Sequence, residues 1–323
     1  MIGSDRTPAV SVVVATRDRV DRLSALLAAL RAQRIDSSEF ELVVVDDGSR
    51  DGTAKLLDRE RARPGLRIEV LRRDGRGPAA ARNAGWHAAS ASLIAFTDDD
   101  CEPPPGWLGA LTAAAAASPE AIIQGPTVPI PRELGDQGAF TRTKLIVKPN
   151  PWYQTCNILY PRALLERLDG FDEGFPEALG EDTDLGWRAR ERGVELIWCE
   201  EARTHHAVDD LGPVGYLRGA LRGSDAVLVF KRYPGLRTEA LALGSIRNPA
   251  LPRLGLAVVA AGLTLRRRPV AGALLALPYA RNLAARCRER RVSLALAPYY
   301  AVFDILAAWT SLRGSVRHRT LVL

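Results

Sequence analysis

The chain has 323 residues, 47% hydrophobic and 25% charged, a globular composition that excludes wholesale disorder and suffices for one large or two ordinary domains. Its formal net charge of +6 conceals a division, since residues 212–323 carry 18 Lys and Arg against 4 Asp and Glu, whereas residues 1–211 carry 26 against 34. Four scattered cysteines with no CxxC pair argue against a disulfide framework and against a cysteine zinc site. Residues 1–6 lack the basic and apolar regions of a secretory leader, so the folded part of the chain is expected in the cytosol.

From the start, residues 10–15 form a short β-branched run, and Val20, Leu23, Leu26, Leu27 and Leu30 then recur at helical spacing. Residues 40–46 predict a second strand, 51–62 a helix, 67–71 a third strand and 79–89 a helix rich in helix formers. A fourth strand over 92–97 and a helix over 107–117 complete the alternation, which predicts a parallel sheet covered by helices. In such sheets ligands bind beyond the carboxyl ends of the strands. Two acidic clusters satisfy that rule, Asp46-Asp47 after the second strand and Asp98-Asp99-Asp100 after the fourth.

Three consecutive carboxylates repel one another, by about 1 kcal/mol per pair at 4 Å in water and more as the dielectric falls. On extended backbone Asp98 and Asp100 would project together while Asp99 points aside. That pairing suits one divalent ion, Mg²⁺ or Mn²⁺, which takes hard oxygen ligands and completes its shell with water and substrate phosphate. The plainer reading is a solvated acidic turn before Pro103-Pro104-Pro105.

Residues 125–155, with five prolines and few periodic apolar positions, read as a long irregular connection of the kind that often faces substrate. Gly180-Glu181-Asp182-Thr183-Asp184-Leu185 opens a helix that ends in a basic turn and Gly193. Asp184 and Arg188 stand i, i+4 and can simply pair. Glu181 and Asp182 are not consumed by that account, and a carboxylate beside other acids at the mouth of a cleft has its pKa raised and can accept a proton. His205-His206, two of four histidines, follow a strand-like stretch over 194–199 and are candidate metal ligands.

In the basic final third, apolar stretches at 254–265, 270–280 and 292–312 alternate with Arg266-Arg267-Arg268 and an arginine-rich stretch at 286–291. This pattern fits interfacial helices on an anionic membrane surface better than a nucleic-acid groove. The first two stretches are shorter than the roughly 20 residues needed to span a bilayer. The third contains Pro298 and Asp304, which favour an in-plane or dive-and-return arrangement. A helical subdomain or dimer interface would bury the same residues in protein. The expected division is 1–211 for a catalytic domain and 212–323 for a basic helical region.

Six pieces in order resemble the family 2 glycosyltransferases of GT-A fold. They are Thr16-Arg17-Asp18-Arg19 after the first strand, Asp46-Asp47-Gly48-Ser49 with Gly52-Thr53, Gly77 with Ala81-Arg82-Asn83-Ala84-Gly85, Phe96 through Asp100 with Trp107-Leu108, Asn157 with Gly170-Phe171-Asp172-Glu173, and the acidic helix start at Glu181. The resemblance covers residues 8–210. It implies a Rossmann-like sheet, a nucleotide-diphosphosugar donor, Mn²⁺ or Mg²⁺, and an inverting single displacement at the anomeric carbon. By that resemblance Thr16, Arg17 and Asp47 line the nucleoside pocket, and Gly77, Arg82, Asp98 and Asp99 also belong to the donor site. Asp98 and Asp100 with His205 or His206 hold the metal, and Asp182 deprotonates the acceptor hydroxyl, with Glu181 and Asp184 as the other catalytic candidates.

The chain departs from the family in having Asp169-Gly170-Phe171-Asp172 where Gly-Gly-Phe-Asp is frequent, and it lacks the Gln-x-x-Arg-Trp stretch of processive synthases. Transfer of one sugar is therefore expected, to a glycan or lipid-linked acceptor of the cell envelope at the cytoplasmic membrane face. A metal-dependent nucleotidyltransferase and a non-catalytic membrane scaffold are the competing classes. The first would carry a glycine-rich loop after the first strand, where Thr16-Arg17-Asp18-Arg19 stands, and the second has no need of so many acids.

Overall fold

The computed structural model describes residues 7–136, 138–175, 177–241 and 250–322. Residues 1–6, on which the absence of a leader was read, lie outside the described residues. The elements in order are β1 (Val10–Thr16), α1 (Val20–Arg31), β2 (Phe40–Asp46), α2 (Thr53–Ala62), β3 (Arg67–Arg72), α3 (Pro78–Ala88), β4 (Leu93–Thr97), β5 (Cys101–Glu102) and α4 (Trp107–Ala117). Then follow β6 (Ile122–Gln124), β7 (Thr127–Pro129), β8 (Thr141–Arg142), β9 (Asn157–Pro161), α5 (Arg162–Leu168), α6 (Glu181–Arg190), β10 (Leu196–Trp198), β11 (Thr204–His206) and β12 (Asp209–Asp210). Among the described residues six helices follow: α7 (Gly212–Ala220), α8 (Val227–Arg232), α9 (Pro234–Ala240), α10 (Ala250–Leu265), α11 (Pro269–Glu289) and α12 (Ala297–Arg317).

The chain divides into two compact units, one of residues up to Leu134 with Thr143–Val208, the other of Gly135–Arg142 with Asp209–Leu323. In the first, seven strands run in the order β10-β6-β9-β4-β1-β2-β3. All pairs are parallel except those of β9, which is antiparallel to β4 and β6, so the sheet is mostly rather than wholly parallel. The alternation of β1 sorts its two faces. Val10, Val12 and Val14 join Leu23, Leu26, Leu27 and Leu30 of α1 and Leu108 and Leu111 of α4 in one core. Val13 and Val45 point to the other face, where Gly85 lets α3 lie down; a Cβ there would stand 2.4 Å from a Val13 methyl.

Helix α2 starts at Thr53 rather than at residue 51, because Asp51 is spent on its first turn, accepting the Thr53 N–H at 2.9 Å. The stretch 125–155 is less irregular than its prolines predict. It contributes β7 and β8, and Ile146 pairs with Thr127 through hydrogen bonds of 2.7 and 2.8 Å.

The second unit is helical around a small core of Tyr279, Leu283, Cys287 and Tyr300. The apolar stretches 254–265 and 270–280 belong to α10 and α11, which contact each other extensively, with exposed Arg266, Arg267 and Arg268 in the connection. Asp304, central in α12, is fully buried: the two terminal nitrogens of the Arg286 guanidinium donate to it at 3.0 Å, and the Tyr279 hydroxyl donates at 3.0 Å.

Candidate active site

The three acids do not continue β4. The strand stops at Thr97, and the Cys101 N–H closes a turn on the Asp98 carbonyl at 3.1 Å. Asp98 and Asp100 nevertheless come together, and Arg19 stands between Asp100 and Asp99. Arg82, from α3, donates to Asp98 Oδ1 at 3.2 Å and to Glu181 Oε1 at 2.7 Å, while Lys144 donates to Asp98 Oδ2 at 2.7 Å. Arg19 donates to Asp100 Oδ2 at 2.5 Å, and Thr16 donates its hydroxyl to Asp99 Oδ2 at 2.8 Å.

The carboxylate repulsion that pointed to a divalent ion is thus met by three basic side chains, Arg19, Arg82 and Lys144. Burial works against charge on Asp98, but Lys144 and Arg82 hold its carboxyl well below the ordinary range. Asp99 goes the other way. Burial pushes it up to about 7, against Arg19 and with the help of neighbouring Asp100.

One corner of this cluster is left unsatisfied. Asp100 Oδ1 is buried without a hydrogen-bond partner, and His206 Nε2 stands 3.3 Å from it. The other ring nitrogen, Nδ1, lies 2.9 Å from the Ala207 carbonyl, which can only accept, so Nδ1 carries a proton, and in the singly protonated ring the lone pair of Nε2 turns towards Asp100. Two lone pairs facing each other need a cation or a proton between them. Asp98, Asp100 and His206 each offer a ligand atom within 4.8 Å of the others, a set of hard oxygens and one imidazole that fits Mn²⁺ or Mg²⁺.

His205 is not part of this group. It precedes His206 on β11, and side chains alternate along a strand, so only one of two adjacent histidines can face the acids. Pairing of β11 with β5 and β7 decides that it is His206.

On the expected nucleoside side, Asp47 accepts the N–H groups of Arg76 at 3.0 Å and Gly77 at 2.8 Å. It therefore shapes the turn into α3, where Gly77 adopts φ +95°. Arg17 lies against Gly75 in the same turn and is half exposed. Thr16, at the end of β1, addresses its hydroxyl to Asp99.

At the start of α6, Glu181 is buried and bound on one oxygen only, the other having no partner. Burial and Asp182 push its pKa up to about 7. Asp182 is half-buried, accepts the Thr183 N–H at 2.7 Å, and is raised chiefly by burial. Asp184 differs from both. It is fully buried in an ion pair with Arg188 at 2.8 Å, and Arg188 also bonds the carbonyls of Leu168 and Gly170, so Asp184 ties α6 to the end of α5.

Two residues escaped the reading of the sequence. Lys144 lies in a stretch read as irregular, 46 positions from the acid it meets, and no local pattern announces it. Arg19 stands in the first motif, and the need of three acids for counter-charge was its only signal.

Strand-end carboxylates at the centre of a mostly parallel sheet, with a candidate cation site and a second acidic helix start, are the arrangement of a GT-A fold. Through residues 11–170, which match the model of Glycosyl transferase family 2, the chain belongs to the family 2 glycosyltransferases. It is 31% identical over 248 residues to validoxylamine A glucosyltransferase of Streptomyces hygroscopicus subsp. jinggangensis, covering 63% of this chain and 58% of that protein. It is 27% identical over 214 residues to glycosyltransferase AglE of Haloferax volcanii, covering 64% and 69%. Among solved structures, the mannosyltransferase PcManGT from Pyrobaculum calidifontis in complex with GDP-Man and Mn²⁺ matches with a TM-score of 0.57 at 21% identity, over 98% of this chain and 88% of that one. TarS 1–349 of S. aureus with UDP matches with a TM-score of 0.52 at 18% identity, over 96% and 92%. These similarities show the fold, and the chain spans little more than half of the Streptomyces relative.

Proposed function

We propose that this glycosyltransferase moves one hexosyl unit from a nucleotide-diphosphosugar to an acceptor hydroxyl with inversion, in a metal-dependent reaction. The observation that carries the reading is the unpartnered Asp100 Oδ1 facing His206 Nε2, beside Asp98. Asp98, Asp100 and His206 would hold Mn²⁺ or Mg²⁺, which when bound stabilises the negative charge appearing on the departing diphosphate. The PcManGT complex with GDP-Man and Mn²⁺ supports a donor and ion of this class.

The residues of the chain supply the rest. The acceptor oxygen attacks the anomeric carbon as the bond from that carbon to the phosphate oxygen breaks, and the acceptor proton passes to a carboxylate. Asp182 is the proposed base, since its raised pKa makes it a better proton acceptor than an ordinary aspartate. Arg82, bonded to both Asp98 and Glu181, holds the donor acid and the start of the base helix in fixed relation. Asp47, Gly77 and Arg17 form the turn proposed for the nucleoside. The test is turnover of a panel of UDP- and GDP-sugars with and without Mn²⁺. Transfer or hydrolysis that ignores Mn²⁺ removes the metal, and activity on none of them removes the donor class.

We further propose that residues 212–323 rest on the cytoplasmic face of a membrane and that the acceptor is a lipid-linked or cell-envelope glycan. Leu265 and Val270, 86% and 73% exposed, flank the exposed arginines between α10 and α11, an apolar tip beside cations that suits an anionic lipid surface. Among the described residues one helical segment, Leu294–Arg317, is long and apolar enough to cross a membrane. The buried pairing of Asp304 with Arg286 and Tyr279 favours its lying within the helical unit. Flotation of the full chain with anionic and with neutral liposomes tests this. A chain that floats with neither belongs to a helical subdomain instead.

A further inference from the structure

Asp98 is the one member of the candidate cation site whose two oxygens both already receive a hydrogen bond from a cationic side chain. The two donors differ in freedom. Arg82 is 9% exposed and its guanidinium is anchored a second time on Glu181, so it has no route away. Lys144 is 34% exposed, reaches Asp98 Oδ2 from a flexible four-carbon stem, and has Asp98 as its ion-pair partner. Its backbone is held on both sides, Thr143 donating its hydroxyl to the His206 carbonyl at 3.4 Å and Ile146 pairing with Thr127. The ammonium can therefore swing away without moving the chain that carries it.

We propose that the Lys144 ammonium is a resident counter-ion of Asp98, which a divalent cation must displace, so that Lys144 sets how tightly the site takes its metal. The inference rests on the metal-dependent reading above. An ammonium retained on Asp98 would repel a second, doubly charged cation sharing that carboxylate, and both would compete for the same lone pairs. Exchange preserves the pairing of Asp98 in either state, which an empty acid cluster could not do without cost.

The test is titration of the full chain with Mn²⁺ alone, reading free Mn²⁺ by its electron paramagnetic resonance signal. Lys144→Met should bind Mn²⁺ about ten- to a hundredfold more tightly than the wild type, the scale of one charge-assisted hydrogen bond. Lys144→Arg, which keeps the charge, should stay near the wild type. Lys144→Gln, also uncharged, repeats the measurement if the Met variant fails to fold. Equal or weaker binding by the uncharged variants, with a wild type that binds, overturns the role of Lys144 and leaves the metal site standing. Binding by none of them overturns the metal site itself and this inference with it.

Discussion

Two buried aspartates, one in each unit, show how differently a carboxylate can be used. Asp304 in the helical unit accepts from Arg286 on one oxygen and from Tyr279 on the other, so its charge and its hydrogen-bonding capacity are both met. Asp100 in the sheet unit accepts from Arg19 on one oxygen and leaves the other buried and unmet beside His206. A satisfied buried acid maintains structure, and removing it strands its partners; an unsatisfied one stores an unfavourable interaction that a ligand can relieve. The same contrast separates Asp184, closed off by Arg188, from Glu181 with its orphaned oxygen.

The largest expected effect breaks the comparison at the proposed base. Asp182→Asn should bind nucleotide donor as the wild type does, while transfer falls by about 10²–10⁴, since a missing base removes help given only in the transition state. Single-turnover transfer beside calorimetric donor binding measures both. If Asp184→Asn loses transfer more severely, the base is Asp184 and its ion pair with Arg188 is catalytic.

On the structural side, Asp304→Ala should cost about 3 kcal/mol in denaturant unfolding, because Tyr279 and the half-buried Arg286 lose the buried acid that they bond. Mn²⁺ affinity should not change. A destabilisation below about 1 kcal/mol would mean that the pair is of the surface kind.

Asp100→Ala should show the opposite signature, losing Mn²⁺-stimulated donor binding while its unfolding midpoint holds or rises. Calorimetry of UDP or GDP with and without Mn²⁺ reads the first part. Unchanged metal stimulation removes Asp100 from the ligand set.

The smallest effect concerns pH. Glu181 has an unfolded-state pKa near 4.5 and a folded one pushed up to about 7, so between these values the folded chain binds the extra proton. The stability contributed by that proton is complete below pH 4.5 and is lost as pH rises through about 7. Glu181→Gln should flatten the decline in unfolding free energy over that window. A variant with the wild-type slope would show that another group, such as Asp99, dominates it.

The sequence alone determined the alternation of strands and helices, since β-branched runs and leucines at helical spacing are local signals that burial only reinforces. It also placed carboxylates at the ends of β2 and β4, because a parallel sheet exposes those ends whatever its neighbours do. What it could not reveal depends on contacts between distant positions. The antiparallel insertion of β9 and the choice of His206 over His205 follow from strand pairing, and the meeting of Lys144 with Asp98 from the path of the chain between β8 and β9. The expectation that Asp98 and Asp100 share a direction came out correct for a different reason, a turn in place of an extended strand. Asp304 makes the point most sharply. As a residue in an apolar run it reads as a barrier to membrane crossing, and only the packing of α11 against α12 brings Arg286 and Tyr279 to it. Local periodicity is written in adjacent residues, whereas the partner of a buried charge is chosen by the fold, because that is where the cost of leaving it unpaired is decided.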